Sequence, residues 1–372
     1  MIVHKQIFEL GRLELTCGQR LNNIRVGYET YGTLSPTKNN AILICHYFSG
    51  TSHAAGRYRQ TDEASGYWDT VIGPGKPFDT HRYFVVSSDT LCNINVKDPS
   101  VVTTGPASIN VETRKPYGMS FPIVTIRDFV NVQHALIRSL GIQRLCAVAG
   151  PSMGGFQALE WAIAYPEMVE RAIVVISAGE LHPWVIMMPG RVAESAIRLD
   201  PNWRDGEYYG NAEPLEGLTL AFVVLTMIAK SQPWADRTVG RAPADPGKSP
   251  FEALNNRFLI ETEIEKIARD RAKLVDANSY IYLARASALY RAGIGFGSLE
   301  EALERIQANV LLIPCSSDLF LPPYQSQKLL GALRRAGVNA RWFELESDGG
   351  HLAGVLEIHK ASQILRDFLE SP

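Results

Sequence analysis

Long apolar runs, net charge and paired cysteines are all scarce in this chain. The longest apolar stretch, residues 218–229, is too short to cross a bilayer. The first residues, Met1-Ile2-Val3-His4-Lys5-Gln6, put no basic segment ahead of a long apolar one, so they do not read as a signal peptide. A net charge of −2 gives no reason to expect nucleic acid or an anionic membrane as partner. The five cysteines (Cys17, Cys45, Cys92, Cys146 and Cys315) are odd in number, widely spaced and free of any C-x-x-C pair. A disulfide framework and a metal site are therefore not expected. Cys45, Cys146 and Cys315 fall in apolar, strand-like runs and read as small buried hydrophobes. The set fits a reducing cytoplasm. Internal repeats, low-complexity tracts and dinucleotide-binding fingerprints are missing too. Gly73-Pro74-Gly75-Lys76 lacks both the spacing of a phosphate loop and the hydroxyl residue after the lysine, so no cofactor is expected.

What is present is an α/β rhythm. With 372 residues, 46% of them hydrophobic and 20% charged, the chain is long enough for a large core with an insertion. Residues 8–16 and 24–31 alternate as a hairpin, with Asn22-Asn23 as its expected turn. Residues 40–45, 82–87, 145–149, 172–176, 310–314 and 340–345 are short apolar runs of the kind that form buried parallel strands. Residues 125–140, 155–165, 324–336 and 352–369 read as the intervening helices. Residues 92–122 form a long irregular stretch, and loops of that length are usually functional. Between 180 and 297 the strands stop. Helices are expected at 215–230, 251–275 and 278–292, with residues 231–250 as a loop. This predicts an α/β core at 1–180 and 298–372, with a helical lid inserted at 181–297.

The stretch around which the rest is organised is Gly150-Pro151-Ser152-Met153-Gly154. It lies between an apolar strand and a helix and spells Gly-x-Ser-x-Gly. Such a strand–turn–helix is the nucleophile elbow of α/β-hydrolases: the turn is so tight that the serine is lifted above the sheet edge. The helix that follows aims its first amides and its dipole at an oxyanion formed there. A serine needs a base, and the base needs an orienting carboxylate. His351, in the loop before the last helix, is the expected base, whereas His359 falls within that helix. Asp318, just past the strand at 310–314, is the expected acid. Asp348 is its rival, although Asp348-Gly349-Gly350 also suits a turn. The oxyanion donors are expected to be the amides of Met153 and of Phe48, the latter in the loop after residues 40–45.

With these residues placed, the chain resembles the homoserine O-acetyltransferase family of α/β-hydrolases from about Ile24 to Leu369. The resemblance rests on Cys45-His46 with Gly50, on Ile72-Gly73-Pro74-Gly75-Lys76 and on Thr104-Gly105-Pro106-Ala107-Ser108-Ile109-Asn110. It rests further on Ser152-Met153-Gly154-Gly155 with Gln157-Ala158-Leu159-Glu160-Trp161-Ala162, on Asp276-Ala277-Asn278-Ser279-Tyr280, and on Pro322-Pro323-Tyr324-Gln325. It implies a helical lid, a homodimer formed through that lid, and an acetyl-serine on Ser152 with Asp318 and His351 as partners.

Three positions depart from the family pattern. Where the family has an arginine in Gly-Leu-x-x-Ala-Arg, this chain has Phe222. Where it has a tyrosine two turns on, this chain has Ala229. Where it has an aspartate directly after the histidine, this chain has Leu352. Those three residues hold the charged ends of homoserine in the family, and burying such ends against Phe and Leu costs several kcal/mol. The pattern is instead similar to the branch of the family that hydrolyses acetate esters, with Phe222, Ala229 and Leu352 forming an apolar pocket for the alcohol. The expectation is a serine hydrolase for short-chain acetate esters, with water as acceptor. The alternative is an acetyl-CoA-dependent acyltransferase acting on homoserine or another alcohol. A non-catalytic binding protein on the same scaffold is disfavoured, because all three members of the triad survive.

Overall fold

A computed structural model describes residues 1–371. The apolar runs form one eight-stranded sheet. Its strands are β1 (Gln6–Glu14), β2 (Arg20–Tyr31), β3 (Ala41–Cys45), β4 (Phe84–Ser88), β5 (Ala147–Pro151), β6 (Arg171–Val175), β7 (Asn309–Ile313) and β8 (Ala340–Trp342). Their order across the sheet is β1-β2-β4-β3-β5-β6-β7-β8. The pairs β1–β2 and β2–β4 are antiparallel, and all later pairs are parallel. Every residue of the central strands β3 and β5 is buried, because helices cover both faces and leave no side for polar residues.

Helix α1 (Ile126–Ser139) is held at its start by a capping box: Thr125 accepts from the Asp128 amide, and the Asp128 side chain accepts from the Thr125 amide. Helix α2 (Met153–Ala164) leaves the elbow and is buried along almost all of its length. After β6 come a short turn at Pro183–Val185, a π-helical stretch Ile186–Val192, and helices α3 (Ala193–Leu199), α4 (Leu215–Ala229), α5 (Gln232–Thr238), α6 (Leu259–Ala272) and α7 (Ala277–Ala288). Only isolated bridges interrupt this helical block, as the sequence implied. Helix α8 (Leu299–Glu304) returns the chain to the sheet, α9 (Pro323–Arg335) links β7 to β8, and α10 (Ser362–Glu370) closes the described chain.

Four local expectations are corrected. The β1–β2 turn lies at residues 15–19 and not at Asn22-Asn23: Gly18 takes the positive φ of 82° that the turn requires, and Asn22 pairs with Arg12 inside the ladder. The expected loop at 231–250 contains α5, which Ser231 caps by accepting from the Trp234 amide. The helix expected from 251 starts only at Leu259, where the Glu261 side chain accepts from the Phe258 amide. The last expected helix is broken into short turns before α10. The Trp68 indole N–H takes the Gly354 carbonyl at 3.0 Å, an acceptor that a continuous helix would offer to the Ile358 amide. No single helix among the described residues is long and apolar enough to cross a membrane; α4 and α5 pass by composition only as a pair bent by 100°.

The parallel order brings the carboxyl ends of β3, β5, β7 and β8 to one edge of the sheet. In such sheets ligands bind outside that edge. Phe48, Ser152, Asp318 and His351 all lie in the loops there.

Candidate active site

The elbow is built by close backbone contact. Ser152 sits at φ 57°, ψ −119°, a conformation that costs a non-glycine residue energy and is held by its surroundings. A Cβ on Gly150 would come within 2.5 Å of the Cys45 carbonyl oxygen, and one on Gly154 within 2.1 Å of the same atom. The two glycines therefore let the loop after β3 lie directly against the turn. The Ser152 amide donates to the Val175 carbonyl at 2.9 Å, and the Ser177 hydroxyl donates to the Ser152 carbonyl at 2.9 Å. Both bonds tie the strained residue to the end of β6.

Three predicted residues meet in a chain of hydrogen bonds. Nε2 of His351 lies 2.7 Å from Oγ of Ser152, and its Nδ1 lies 2.7 Å from Oδ2 of Asp318. The other Asp318 oxygen accepts from the amides of Phe320 and Leu321 at 2.8 and 3.0 Å. Asp318 is buried, and both of its oxygens are taken up by these bonds. The carboxylate fixes the imidazole with Nδ1 as donor, leaving Nε2 to accept from the serine. The Phe320 ring stacks on His351 at 4.7 Å and shields it from solvent. The rival acid is elsewhere: Asp348 is half exposed and paired with Arg237. Its neighbour Gly350 takes a φ of 66° and packs against the Ala229 carbonyl, which aims the His351 loop inward. His359 lies exposed in a separate turn.

The amides of Met153 and Phe48 have no acceptor among the described residues. Both residues line one cavity together with Ser152. The loop carrying Phe48 is held from below. The Gln157 side chain of α2 donates to the His46 carbonyl at 3.2 Å. His46 is fully buried, and burial holds its imidazole below the ordinary pKa, so it is neutral at pH 7. The Thr90 amide donates to His46 Nε2 at 3.1 Å, so the proton resides on Nδ1, which donates to the Tyr47 carbonyl at 2.7 Å.

A cavity lies over Ser152; with the open solvent at its mouth included, it spans about 450 Å³. The core contributes Met153, Phe156 and Phe320 to its walls, and the helical block contributes Leu181, Val185, Leu225 and Tyr280 among others. Among the described residues no charged side chain lines it. The Tyr280 hydroxyl is spent on the Pro189 carbonyl and the Ser287 hydroxyl on the Leu283 carbonyl.

The three expected pocket residues do not line this cavity. Phe222 stands one layer behind, with its ring edge-on to Tyr280 at 5.5 Å. Ala229 packs beside Gly350, and Leu352 follows His351 at the rim of its loop, partly exposed. Helix α4 turns Leu225, three residues on from Phe222, into the cavity instead. Sequence spacing found the helix but not the face, because α4 is apolar on nearly every side. His46 and Phe320 were also missed as partners of the site. The signal for His46 was its place in the Cys45-His46 motif beside Phe48, and for Phe320 its adjacency to Asp318.

Lys76 of the glycine-containing loop is bonded to Asp69 and makes no phosphate cradle. Among the described residues no cluster of His, Cys, Asp or Glu has the makings of a metal site.

Comparison with known proteins adds the family. A model described as the alpha/beta hydrolase fold matches residues 41–357. The homoserine O-acetyltransferase of Carboxydothermus hydrogenoformans is 40% identical over 369 residues, covering 99% of this chain and 96% of that protein. The crystal structure of homoserine O-acetyltransferase from Bacillus anthracis superposes with a TM-score of 0.95 at 44% identity, covering 100% of this chain and 98% of that one. That of esterase E22 superposes with a TM-score of 0.93 at 45% identity, covering 99% and 100%.

Proposed function

The chain belongs to the homoserine O-acetyltransferase family of α/β-hydrolases, and within that family we propose that it hydrolyses short-chain acyl esters, acetates foremost. The observation that carries this reading is the cavity over Ser152, whose lining includes no charged side chain. An amino acid placed there would leave its ammonium and carboxylate groups without partners, at a cost of several kcal/mol. A small ester and its alcohol need none. The similarity to esterase E22 supports the same reading.

In the proposed mechanism Ser152 attacks the ester carbonyl while His351 Nε2 takes its proton. The amides of Met153 and Phe48 stabilise the oxyanion. The imidazolium then protonates the departing alcohol. Water, deprotonated by His351, next attacks the acyl-serine and releases the acid. Asp318 holds the imidazole tautomer and stabilises its charged form. No cofactor is needed for any of these steps.

The second reading is acetyl transfer to homoserine, with an alcohol in place of water. The near-full-length identity to homoserine O-acetyltransferases favours it, and by name alone these relatives support it more directly than hydrolysis. One experiment separates the two. Purified protein is given ethyl acetate in one arm, and acetyl-CoA with homoserine in the other. Hydrolysis of ethyl acetate with little O-acetylhomoserine is expected; strong transfer with little hydrolysis would overturn the hydrolase reading.

We further propose that the helical block 181–297 acts as a lid over the cavity and that the protein pairs with a second copy through α4. That helix is almost wholly apolar, yet leaves Leu220 and Met227 about half exposed. Sedimentation equilibrium is expected to give a dimer that Leu220→Glu with Met227→Glu dissociates. A monomeric wild type would remove this proposal.

A further inference from the structure

The loop that carries the Phe48 amide is clasped from the helical block by one side chain. Arg271, in the last turn of α6, reaches across to the core and donates through one guanidinium nitrogen to the Ser49 carbonyl at 2.7 Å and to Oδ1 of Asn95 at 2.5 Å. Asn95 itself donates to the carbonyls of Ser49 and Gly50 at 3.3 and 3.2 Å, and Asn93 donates to the Gly50 carbonyl at 3.0 Å. The loop is closed internally by the Gly50 amide, which donates to the Tyr47 carbonyl at 2.9 Å. That carbonyl belongs to the same peptide unit as the Phe48 N–H. It also accepts from His46 Nδ1. Donors on the carbonyl side of a peptide polarise its N–H and make it a better donor. The peptide is therefore fixed at one end by His46, and the turn that follows it is fixed by Arg271 and the two asparagines.

Arg271 makes no ion pair: among the described residues no carboxylate lies within 4.0 Å of it, whereas twelve of the chain's other arginines have such a partner. Burial lowers its pKa below the ordinary arginine value, and the more distant Tyr47 and Asp98 offset this only in part, the direction expected of a guanidinium taken from water without a directly paired carboxylate. Fastening two layers together does not need such a group. A neutral amide or an apolar contact would do so without the desolvation cost of an unpaired charge. A fixed cation behind an oxyanion loop has a use that those lack, because it favours negative charge developing in front of the loop.

We propose that Arg271 is a positioning residue through which the helical block sets the oxyanion loop, so that the Phe48 amide is competent only when α6 is docked. This rests on the reading of Ser152 as nucleophile and Phe48 as oxyanion donor. It does not rest on whether water or another alcohol receives the acyl group.

The test is therefore made on the first half of the reaction. The rate constant for phosphonylation of Ser152 by a fluorophosphonate is measured for wild type, Arg271→Met and Arg271→Lys, alongside Tm. For Arg271→Met a fall of about 30-fold is expected, somewhat below the loss seen when an oxyanion donor is itself removed. Added guanidinium ion is expected to restore part of the rate, and Arg271→Lys, which keeps the charge and one donor, to lie between. With p-nitrophenyl acetate the loss is expected in kcat and not in KM. A lowered Tm with an unchanged phosphonylation rate would show a mere structural tie and overturn the proposal, as would a loss confined to KM. If Arg271→Met does not fold, Arg271→Lys with a wild-type rate has the same force. Absence of ester hydrolysis by the wild type would sink the hydrolase reading alone. Absence of phosphonylation at its Ser152 would sink the serine reading and this inference together.

Discussion

The two sides of the cavity over Ser152 are made of different material. The core side sets its polar groups among the apolar Met153, Phe156 and Phe320: a strained serine, a buried carboxylate and a fixed histidine tautomer, all held by hydrogen bonds, beside two amides left without an acceptor. The side built by the helical block is apolar, and its two hydroxyls are already used. Charge and direction come from one side, shape from the other. Changes on the core side should thus cost rate for every substrate, while changes on the block side should re-rank substrates. Arg271 is the exception by which the block reaches into the polar half.

The sharpest test of this division is Ser152→Ala. Ester hydrolysis is expected to fall by about 10⁴-fold or more, with Tm unchanged, as measured by ester turnover and calorimetry. Retention of near wild-type activity would remove Ser152 from the mechanism. Asp318→Asn is expected to cost about 10³- to 10⁴-fold in kcat through the wrong tautomer of His351. In the same assay Asp348→Asn should stay within about twofold, since its surface pairing with Arg237 contributes little. Equal losses from the two would erase the distinction between the acids.

On the other side, Leu225→Ala is expected to raise the relative kcat/KM for butyrate over acetate esters by about tenfold, the scale of one or two methylenes in an apolar pocket. A uniform loss across chain lengths would mean that α4 does not shape the acyl or alcohol site. Phe222→Ala, one layer behind Tyr280, should cost about 3 kcal/mol of stability as a core truncation, read by denaturant unfolding, with only a secondary change in selectivity.

The smallest effect concerns the base of the core. Burial pushes the Glu29 carboxyl up, but His53, Lys5 and Tyr58 together pull it down further, so its net shift is below the ordinary value. A carboxylate with a depressed folded pKa adds stability above its unfolded pKa and loses it as pH falls through the folded one. Glu29→Gln is thus expected to lower Tm more at pH 7 than near pH 3. A parallel loss at both pH values would contradict the shift.

Much of the core side was legible in the sequence. Gly150 and Gly154 announce a close approach that only glycine allows, and Asp318 and His351 follow the strands that the chain order demands. The block side was not. Phe222, Ala229 and Leu352 could be found by resemblance but not placed, since a helix apolar on most faces does not declare which one meets the cavity. The short turns before α10 were equally hidden, because the partner that takes the Gly354 carbonyl is Trp68, far away along the chain.

The elbow, the order of the triad and the lack of charged anchors could thus be read before any fold was known, because these depend on residue type at local spacing. Tertiary packing alone put Leu225 and not Phe222 at the cavity, and Arg271 on the loop of Phe48. Each of these depends on how separate segments rotate and dock, and packing settles that after local preference has been spent.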